Sequence, residues 1–418
     1  MKPAQRTRPR LRFIPFRKRD VVEMCLASGG LDIRDQMKFR QFCHVLQSVY
    51  HFEYHDKLEA LKDSYAPMNP DRDTRKIGIY REEGESRFVD VLDELLNKAN
   101  YERFSDEELK DAMQESTLFK LRLHIDFGEF EEVLLYTRGE SMRDDEVKYL
   151  FGLIRKPITF ANFDRVVIYV KFSENLNTKR SPHKPGSTML KLFRDVPRAD
   201  VEMLFPNTRV GMRLIDKLAI GIPALLGSGA VLTTQIGTSL LLLGALIGYY
   251  LGLSADPVEL DRATLLLLAA GIGGIVSYIW KQFVNFKNRK LTFLQSLMEN
   301  LYFKNLDNNA GVFHRLVDDA EEEECKEAII GYYFLLTRPE DNSARSLDEA
   351  VEAWFKERWD SEVDFEVEDA LDKLRELGLV EGDDDNLTAT SLPVACERLD
   401  QRWDAYFAFP NESAHGNL

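Results

Sequence analysis

The sequence contains little cysteine and no recognisable catalytic motif, and both shortages narrow the functions to consider. Its four cysteines, Cys25, Cys43, Cys325 and Cys396, are scattered without CxxC spacing, which favours free thiols in a reducing compartment over a disulfide framework. The GxGxxG, P-loop, GxSxG and HExxH patterns are all absent from the sequence. A Ser-His-Asp or Cys-His arrangement stays open, because its members meet only in the folded chain. We therefore predict no cofactor and no catalytic residue, and the sequence gives no ground to expect an enzyme.

Charged side chains are also absent from a long internal stretch. The 36 residues from Leu218 to Leu253 carry none, and a second apolar block runs from Ala263 to Trp280. Since a helix needs about 20 mostly apolar residues to cross a bilayer, these blocks predict a transmembrane unit over residues 218–283. Full spans are expected at about 236–253 and 263–280, with 218–235 as a re-entrant segment, an interfacial segment or a third span.

The residues around the blocks predict the orientation and packing of this unit. Basic residues flank it on both outer sides, whereas the loop over residues 254–262 carries three acids and one base. The positive-inside rule places both flanks in the cytoplasm and favours an even number of crossings. No Asp, Glu, Lys, Arg or His lies within the blocks, which argues against an ion or proton pathway. Gly244, Gly248 and Gly252 form GxxxGxxxG, which predicts close helix packing within the hairpin or between subunits of a homo-oligomer.

The two ends of the chain carry opposite charge. The first 19 residues hold eight basic residues and no acidic one, whereas residues 318–418 hold 29 acidic and nine basic residues. We interpret residues 1–19 as a basic arm that rests near anionic lipid headgroups. A mitochondrial presequence is the alternative, but the arm contains three prolines and does not have the composition of such a segment.

Periodicity predicts two soluble domains around the apolar blocks. Over residues 20–205, helical spacing up to about residue 115 gives way to alternating β patterns, which predicts an α+β domain with an antiparallel sheet. Over residues 300–418, the patterns predict three helices, a hairpin and a final helix, the order of a winged-helix domain. The third helix and the hairpin tip are dominated by acidic residues: Glu366, Glu368, Asp369, Asp372, Glu376, Asp383, Asp384 and Asp385. Because phosphates repel such a surface, we predict a protein partner there and no nucleic acid.

The densest polar cluster of the sequence is the segment NLDNNAG at residues 305–311 together with the helix predicted after it. His314, Asp318, Glu321, Glu322 and Cys325 recur at helical spacing and therefore share a face. Such a set could hold a divalent metal. A solvated acidic helix, whose early carboxylates complement its N-terminal dipole, explains the same residues, and we favour that interpretation.

Two further clusters each have a structural explanation as well as a functional one. His44, His51 and His55 share a helical face with Glu59, but a zinc-protease helix needs Glu directly after its first His, and Phe52 follows His51. We interpret this face as an exposed helix edge. Arg138, Gly139 and Glu140, with Arg143 nearby, end a predicted strand. They suit an anion site at a turn, or a hairpin turn closed by an ion pair.

Four segments carry a resemblance to a known family. They are FIPFRKRD at residues 13–20, FGEFEEVLLYTRGE at 127–140, DVPRADVEMLFPNT at 195–208 and NLYFKNLDNNAGVFHRLVDDAEEEECKEA at 300–328. With these motifs the chain resembles the transmembrane protein 143-like family, a domain of unknown function numbered 3754. The resemblance covers most of residues 13–336. It implies a membrane protein with soluble parts on either side of its membrane unit and mitochondrial animal relatives, and it supplies no activity or catalytic residues.

Together these observations predict a multidomain α+β membrane protein. An N-terminal helical and antiparallel-sheet domain and a C-terminal winged-helix-like domain would be joined by a transmembrane helical hairpin. The predicted function is a membrane-anchored interaction or regulatory scaffold with soluble domains on the cytoplasmic side of a bacterial inner membrane. A mitochondrial inner membrane is the alternative location. The alternative functions are an oligomeric channel or transport component and a membrane-tethered metal-dependent enzyme.

Overall fold

The computed structural model describes residues 10–71, 75, 85–105, 107–109, 122–149, 154–176, 183–211, 244–245, 249, 261–340 and 342–406. The chain divides into two compact units. The first unit consists of residues 1–114, 127–201 and 304–418, and the second consists of residues 115–126 and 202–303. Residues of both predicted soluble ranges, 20–205 and 300–418, are therefore found in the first unit.

Strands form one part of the first unit. Among the described residues the strands are β1 (Glu102–Arg103), β2 (Arg122–His124), β3 (Phe130–Tyr149), β4 (Ile154–Phe172), β5 (Thr188–Pro197), β6 (Arg209–Gly211), β7 (Asn305–Asn308), β8 (Val380–Glu381) and β9 (Thr388–Ala389). Five of them form an antiparallel sheet in the order β1-β3-β4-β5-β7. The long strands β3 and β4 form the centre of the sheet. Thr137 of β3 lies opposite Val166 of β4, and Val167 of β4 lies opposite Leu192 of β5. Because β4 is rich in β-branched and aromatic residues that are fully buried from Val166 to Val170, it is the core strand of the sheet.

Helices form the rest of the first unit. In the part of the chain that the structure describes, the α-helices are α1 (Lys18–Ala27), α2 (Ile33–Tyr65), α3 (Glu85–Lys98), α4 (Arg262–Lys304), α5 (Ala310–Thr337), α6 (Ala344–Trp359), α7 (Val367–Glu376) and α8 (Leu392–Ala405). Asp32 caps α2 by accepting a hydrogen bond from the Asp35 amide, and a capping box of Ser343 and Ser346 starts α6. The helix α5 packs against α1, α2, α3, α6 and α7. It is the central helix of the unit, and its residues share one hydrophobic core with β3, β4 and β5.

The second unit contains α4 and a short β ladder. Strands β2 and β6 pair antiparallel, with Leu123 opposite Val210. The helix α4 is 43 residues long and continues without a break past Lys281, Lys287 and Lys290. Several of its large apolar side chains are exposed, Leu266, Trp280 and Met298 among them.

The structure corrects the predicted membrane architecture. Among the residues that it describes, no helix combines the length and the apolar character needed to cross a membrane. The predicted span at 263–280 is only the first part of α4, and the basic residues taken as its membrane exit lie inside the same helix. The segments 218–235 and 236–253 lie outside the described residues apart from Gly244, Ala245 and Tyr249. The prediction of an integral membrane protein with a transmembrane hairpin, in either inner membrane, is therefore wrong, and the described fold is a mixed α/β fold with an antiparallel sheet.

Candidate functional site

The acidic run of α5 is buried, although its sequence suggests a solvated helix. Glu321, Glu323 and Glu324 are 6%, 1% and 5% exposed, and Glu327 is 2% exposed. The burial follows from the next two turns, residues 328–335, which are buried on every side because other helices surround α5. The interpretation of this run as a solvated acidic helix is thus wrong. Since a buried charge is costly unless it is paired, the partners of these carboxylates define the candidate site.

Glu323 is bound to the N-terminal segment of the chain. Its Oε2 atom accepts a hydrogen bond from the Ile14 amide at 2.9 Å, and its Oε1 atom accepts one from Lys326 Nζ at 2.7 Å. Lys326 Nζ also donates to the Ile14 carbonyl oxygen at 2.7 Å. One turn of α5 therefore satisfies both backbone polar groups of Ile14, which is itself 2% exposed.

Arg138 of β3 completes the pairing on the sheet side. Its Nη2 atom lies 2.6 Å from Glu323 Oε1, and its Nη1 atom lies 3.3 Å from Asp319 Oδ2. The guanidinium group lies over the ring of Phe13, 4.5 Å from the ring centre, and 5.6 Å from the ring centre of Tyr101. Because Arg138 is buried with two carboxylates and two aromatic rings around it, we infer a strong structural constraint at this position.

Residues 138–140 lie in the middle of β3 rather than at a strand end. Arg138 is opposite Arg165 and Glu140 is opposite Phe163, so the predicted turn is wrong. Gly139 has a φ of +72°, and an added Cβ atom would lie 2.5 Å from Asp164 Oδ2. Only glycine fits there without strain. Arg143 instead pairs across the sheet with Asp195 at 2.5 Å.

A second buried cluster joins α5 to the C-terminal helices. Lys373 Nζ of α7 lies 2.7 Å from Glu327 Oε2 and 3.6 Å from Glu324 Oε1. Asn100 Nδ2 donates to Glu327 Oε1 at 3.0 Å and to the Arg12 carbonyl oxygen at 2.8 Å. Burial raises the pKa of Glu327 to about 7, although the charge of Lys373 opposes the shift. Glu327 therefore connects α7, through Asn100, to the same N-terminal segment.

The predicted metal ligands do not converge. Glu321 pairs with Lys18 at 2.6 Å and with His51 Nδ1 at 3.0 Å, while His314 and Asp318 are exposed. Glu322 is half-buried, and burial raises its pKa and also raises the pKa of the fully buried Cys325 thiol to about 12. Within the part of the chain that the structure describes, no group of three or more His, Cys, Asp and Glu side chains is arranged to hold a metal ion.

The remaining predicted sites lie on exposed positions or outside the described residues. His44 and His55 are exposed on α2, and Glu59 pairs with Lys62 at 2.8 Å. Gly244 is exposed, and an added Cβ atom there would have open space around it. Gly248 and Gly252 lie outside the described residues, so helix packing by this motif stays a prediction.

The described part of the basic arm, residues 10–19, docks on acidic residues of the same chain. Leu11 forms a parallel β-bridge with Val363: its amide donates to the Glu362 carbonyl oxygen at 2.9 Å, and its own carbonyl accepts from the Asp364 amide at 2.8 Å. Farther along the arm, the ring of Phe16 stacks on Phe355 of α6 at 6.0 Å between centres. The arm thus occupies an edge of the C-terminal region by backbone pairing, which the sequence did not suggest.

Ion pairs accompany this backbone pairing. Arg10 Nη1 lies 3.2 Å from Glu352 Oε1 and 3.8 Å from Asp364 Oδ1. Arg12 pairs with Glu366 and lies 3.2 Å from Glu102 Oε1. Two alternate residues of the basic arm therefore contact four carboxylates.

Two cavities flank the arm. One of about 130 Å³ lies between residues 10–13 of the arm and residues 137–140 of β3. The other, about 460 Å³, is lined by residues 13–17 of the arm, by Arg138 and Arg165 of the sheet, and by Asp319, Glu322 and Lys326 of α5. Five arginines and three glutamates line the smaller cavity, and four cations and four carboxylates line the larger one, so neither presents the single charge sign of a dedicated ion site.

The surface of the C-terminal region keeps its acidic excess. Arg375 pairs with Asp384 at 2.6 Å, Arg398 with Glu381 at 3.0 Å and Arg402 with Glu376 at 2.9 Å, so these basic residues already have internal partners. Four acidic residues of the C-terminal region are exposed and have no ion pair among the described residues: Glu368, Asp369, Asp383 and Asp385. A surface of this kind attracts cationic partners.

The comparisons with known proteins agree with a family of unknown function and add no activity. The profile of the family described as "Protein of unknown function (DUF3754)" matches residues 163–311, which is less than half of the chain. The match includes the motif at residues 195–208 and ends at the start of α5. No solved structure matches the chain.

Proposed function

We propose that this chain is a regulatory protein-interaction scaffold whose C-terminal region, residues 344–406, binds a basic segment of a partner protein. The observation that carries the proposal is the docked arm, because it is a basic segment bound by backbone pairing and ion pairs. We also propose that the chain is related to the transmembrane protein 143-like proteins. This relationship is supported by the motifs at residues 13–20 and 300–328.

The charge of the docking region supports a cationic partner. Asp348, Glu352 and Asp364 lie near one arginine, Arg10, and are not neutralised by it alone. Partial burial, together with the charges of Glu352 and Asp364, raises the pKa of Asp348 to about 6. The region therefore keeps a negative potential when the arm is bound, which favours additional positive charge.

The proposal is tested with a labelled decalysine peptide and the full chain. We expect binding that weakens as salt rises, since exposed charges are screened within about 10 Å at 0.1 M salt. A variant with Glu368→Gln, Asp369→Asn, Asp383→Asn and Asp385→Asn should lose about tenfold in affinity, which corresponds to about 1.4 kcal/mol.

The control removes four carboxylates from another face of the protein. Asp56→Asn, Asp63→Asn, Asp90→Asn and Glu107→Gln change the net charge equally, and all four residues are exposed. Equal losses in the two quadruple variants would mean that net charge alone attracts the peptide. Affinity that is indifferent to salt would also contradict the proposal.

A further inference from the structure

The docked arm has an inner and an outer part that are held differently. In the inner part, Ile14 is buried and both its backbone groups are bound by Glu323 and Lys326, which are 1% and 2% exposed. In the outer part, the side chains of Arg10 and Arg12 are 63% and 43% exposed. Exposed ion pairs contribute little because water screens them and their side chains lose freedom.

The packing beneath the outer part is also incomplete. Residues 10–13 line the cavity of about 130 Å³, so part of their inner surface does not pack against protein. The outer part is therefore held mainly by its exposed ion pairs, by the two hydrogen bonds of Leu11, and by the bond from Asn100 to the Arg12 carbonyl.

The groove under the outer part has a definite chemical pattern. Alternate residues of an extended segment point to the same side, and Arg10 and Arg12 both contact carboxylates, while Leu11 provides the backbone pairing. These contacts define what we call the groove: Glu352, residues 362–364 and Glu366. Its present occupant is an extended tripeptide, residues 10–12, in which basic residues flank an apolar one.

We propose that residues 10–12 are a displaceable occupant of this groove, and that its partner is an extended basic–apolar–basic segment of another protein. Residues 13–18 stay anchored when the outer part is released. Displacement of the outer part then regulates access to the groove: the arm competes with the partner and sets the affinity at which the partner binds. This inference rests on the proposed function, and it states where on the C-terminal region the partner binds.

The test uses a labelled peptide with the sequence of residues 6–13, Arg-Thr-Arg-Pro-Arg-Leu-Arg-Phe, and the full chain. In the variant Arg10→Gln/Arg12→Gln the outer part loses its ion pairs, so the peptide should bind at least tenfold more tightly than it binds the wild type. Adding Asp364→Asn and Glu366→Gln should abolish this gain. In hydrogen exchange, the Asp364 amide should exchange faster in the double variant and regain protection when the peptide is added.

Two controls separate groove binding from general attraction. The peptide Arg-Thr-Arg-Pro-Gln-Leu-Gln-Phe lacks the alternate basic residues and should show no gain. The variant Arg345→Gln/Arg375→Gln loses two arginines of exposed ion pairs away from the groove, Arg345–Glu349 and Arg375–Asp384, and should not bind the peptide more tightly than the wild type. Its net charge equals that of the groove variant.

The outcomes separate this inference from the proposed function. Equal affinity for the wild type and for Arg10→Gln/Arg12→Gln, with decalysine still bound through the exposed carboxylates, would overturn the inference and leave the proposed function standing. A double variant that dimerises in light scattering without binding the peptide would show that a second copy of the chain is the occupant, which also overturns the inference. No binding of either probe to any variant would overturn both.

Discussion

Two acidic runs of this chain have opposite environments. The run from Glu321 to Glu324 lies in α5, with three of its four carboxylates buried, whereas the run from Asp383 to Asp385 lies in the turn between β8 and β9 and is exposed. The buried carboxylates have cationic or amide partners from the arm, the sheet and the other helices. Within the described part of the chain, the exposed run has one close ion pair, between Asp384 and Arg375.

The difference shows that the partners of an acidic run decide its role more than its charge density does. Removal of charge from a buried pair leaves an unpaired ion in a low dielectric. Removal of charge from an exposed run mainly relieves repulsion between neighbours. We therefore interpret the α5 run as the part that holds the arm and the C-terminal helices together, and the exposed run as part of a binding face.

The largest expected effect comes from Arg138→Met. The substitution leaves Glu323 and Asp319 without their buried guanidinium, so the free energy of unfolding should fall by about 3–5 kcal/mol. Urea denaturation of the full chain measures this change. The matched exposed variant, Arg375→Met, removes an ion pair with Asp384 and should cost at most about 1 kcal/mol. Equal costs for the two variants would contradict the contrast between the runs.

The next effect is a pH dependence from Glu327, the buried carboxylate one turn after the α5 run. Because the folded pKa of Glu327 is raised to about 7, the folded state holds a proton there that the unfolded state has already lost. Its contribution to stability is therefore present at low pH and is lost as the pH rises from the ordinary glutamate pKa towards 7. One proton corresponds to a slope of up to about 1.4 kcal/mol per pH unit.

The variant Glu327→Gln isolates this slope. The difference in unfolding free energy between the wild type and Glu327→Gln should change steadily between pH 5 and 7 and level off above that range. Glu368→Gln, on the exposed face, gives the reference for an exposed carboxylate. A difference that stays constant for Glu327→Gln would mean that this carboxylate does not carry a raised pKa in the folded chain.

Part of the difference between the buried and the exposed acidic run could be predicted from the sequence. Residues 328–335 of α5 are apolar on every side, a pattern that predicts a surrounded helix, and a helix surrounded there cannot expose all the acidic residues one turn earlier. The partners were not predictable, because Lys18, Arg138 and Lys373 are distant in sequence and only Lys326 lies one turn from Glu323. Local patterns locate helices and strands, whereas pairing between distant segments depends on the tertiary fold.

Other predictions failed for the same reason. The alternating patterns correctly located strands, yet they did not show that β3 continues through Arg138 to Tyr149, since Gly139 resembles a turn residue in isolation. Hydropathy correctly identified apolar blocks but not their structural context, and the predicted span at 263–280 is part of the longer helix α4. The basic arm had no local pattern that indicated its docking on residues 352–366.

Replacing a glycine of the β8–β9 hairpin should lower the free energy of unfolding more than removing a charge from its turn does. Gly382 has a φ of +102°, and an added Cβ atom would lie 2.0 Å from the Asn386 carbonyl oxygen. Gly382→Ala should therefore destabilise the chain by about 1–3 kcal/mol, the range for a residue forced into sparsely populated backbone space. Thermal or urea unfolding measures it. A neutral result would show that the hairpin adapts without strain, and that its shape does not depend on this glycine.

The smallest effect is expected for Asp383→Asn/Asp385→Asn. Both side chains are exposed, and neither has an ion pair among the described residues, so their loss should change the unfolding free energy by no more than about 0.5 kcal/mol. The sign should be stabilising at low salt, because Asp384 keeps its pair with Arg375 while repulsion from its neighbours is removed. Urea denaturation at 20 mM and 300 mM salt, with Asp56→Asn/Asp63→Asn as the control for net charge, tests this directly. A loss of several kcal/mol would show that the exposed run has buried partners after all, and the two acidic runs would then share one structural role.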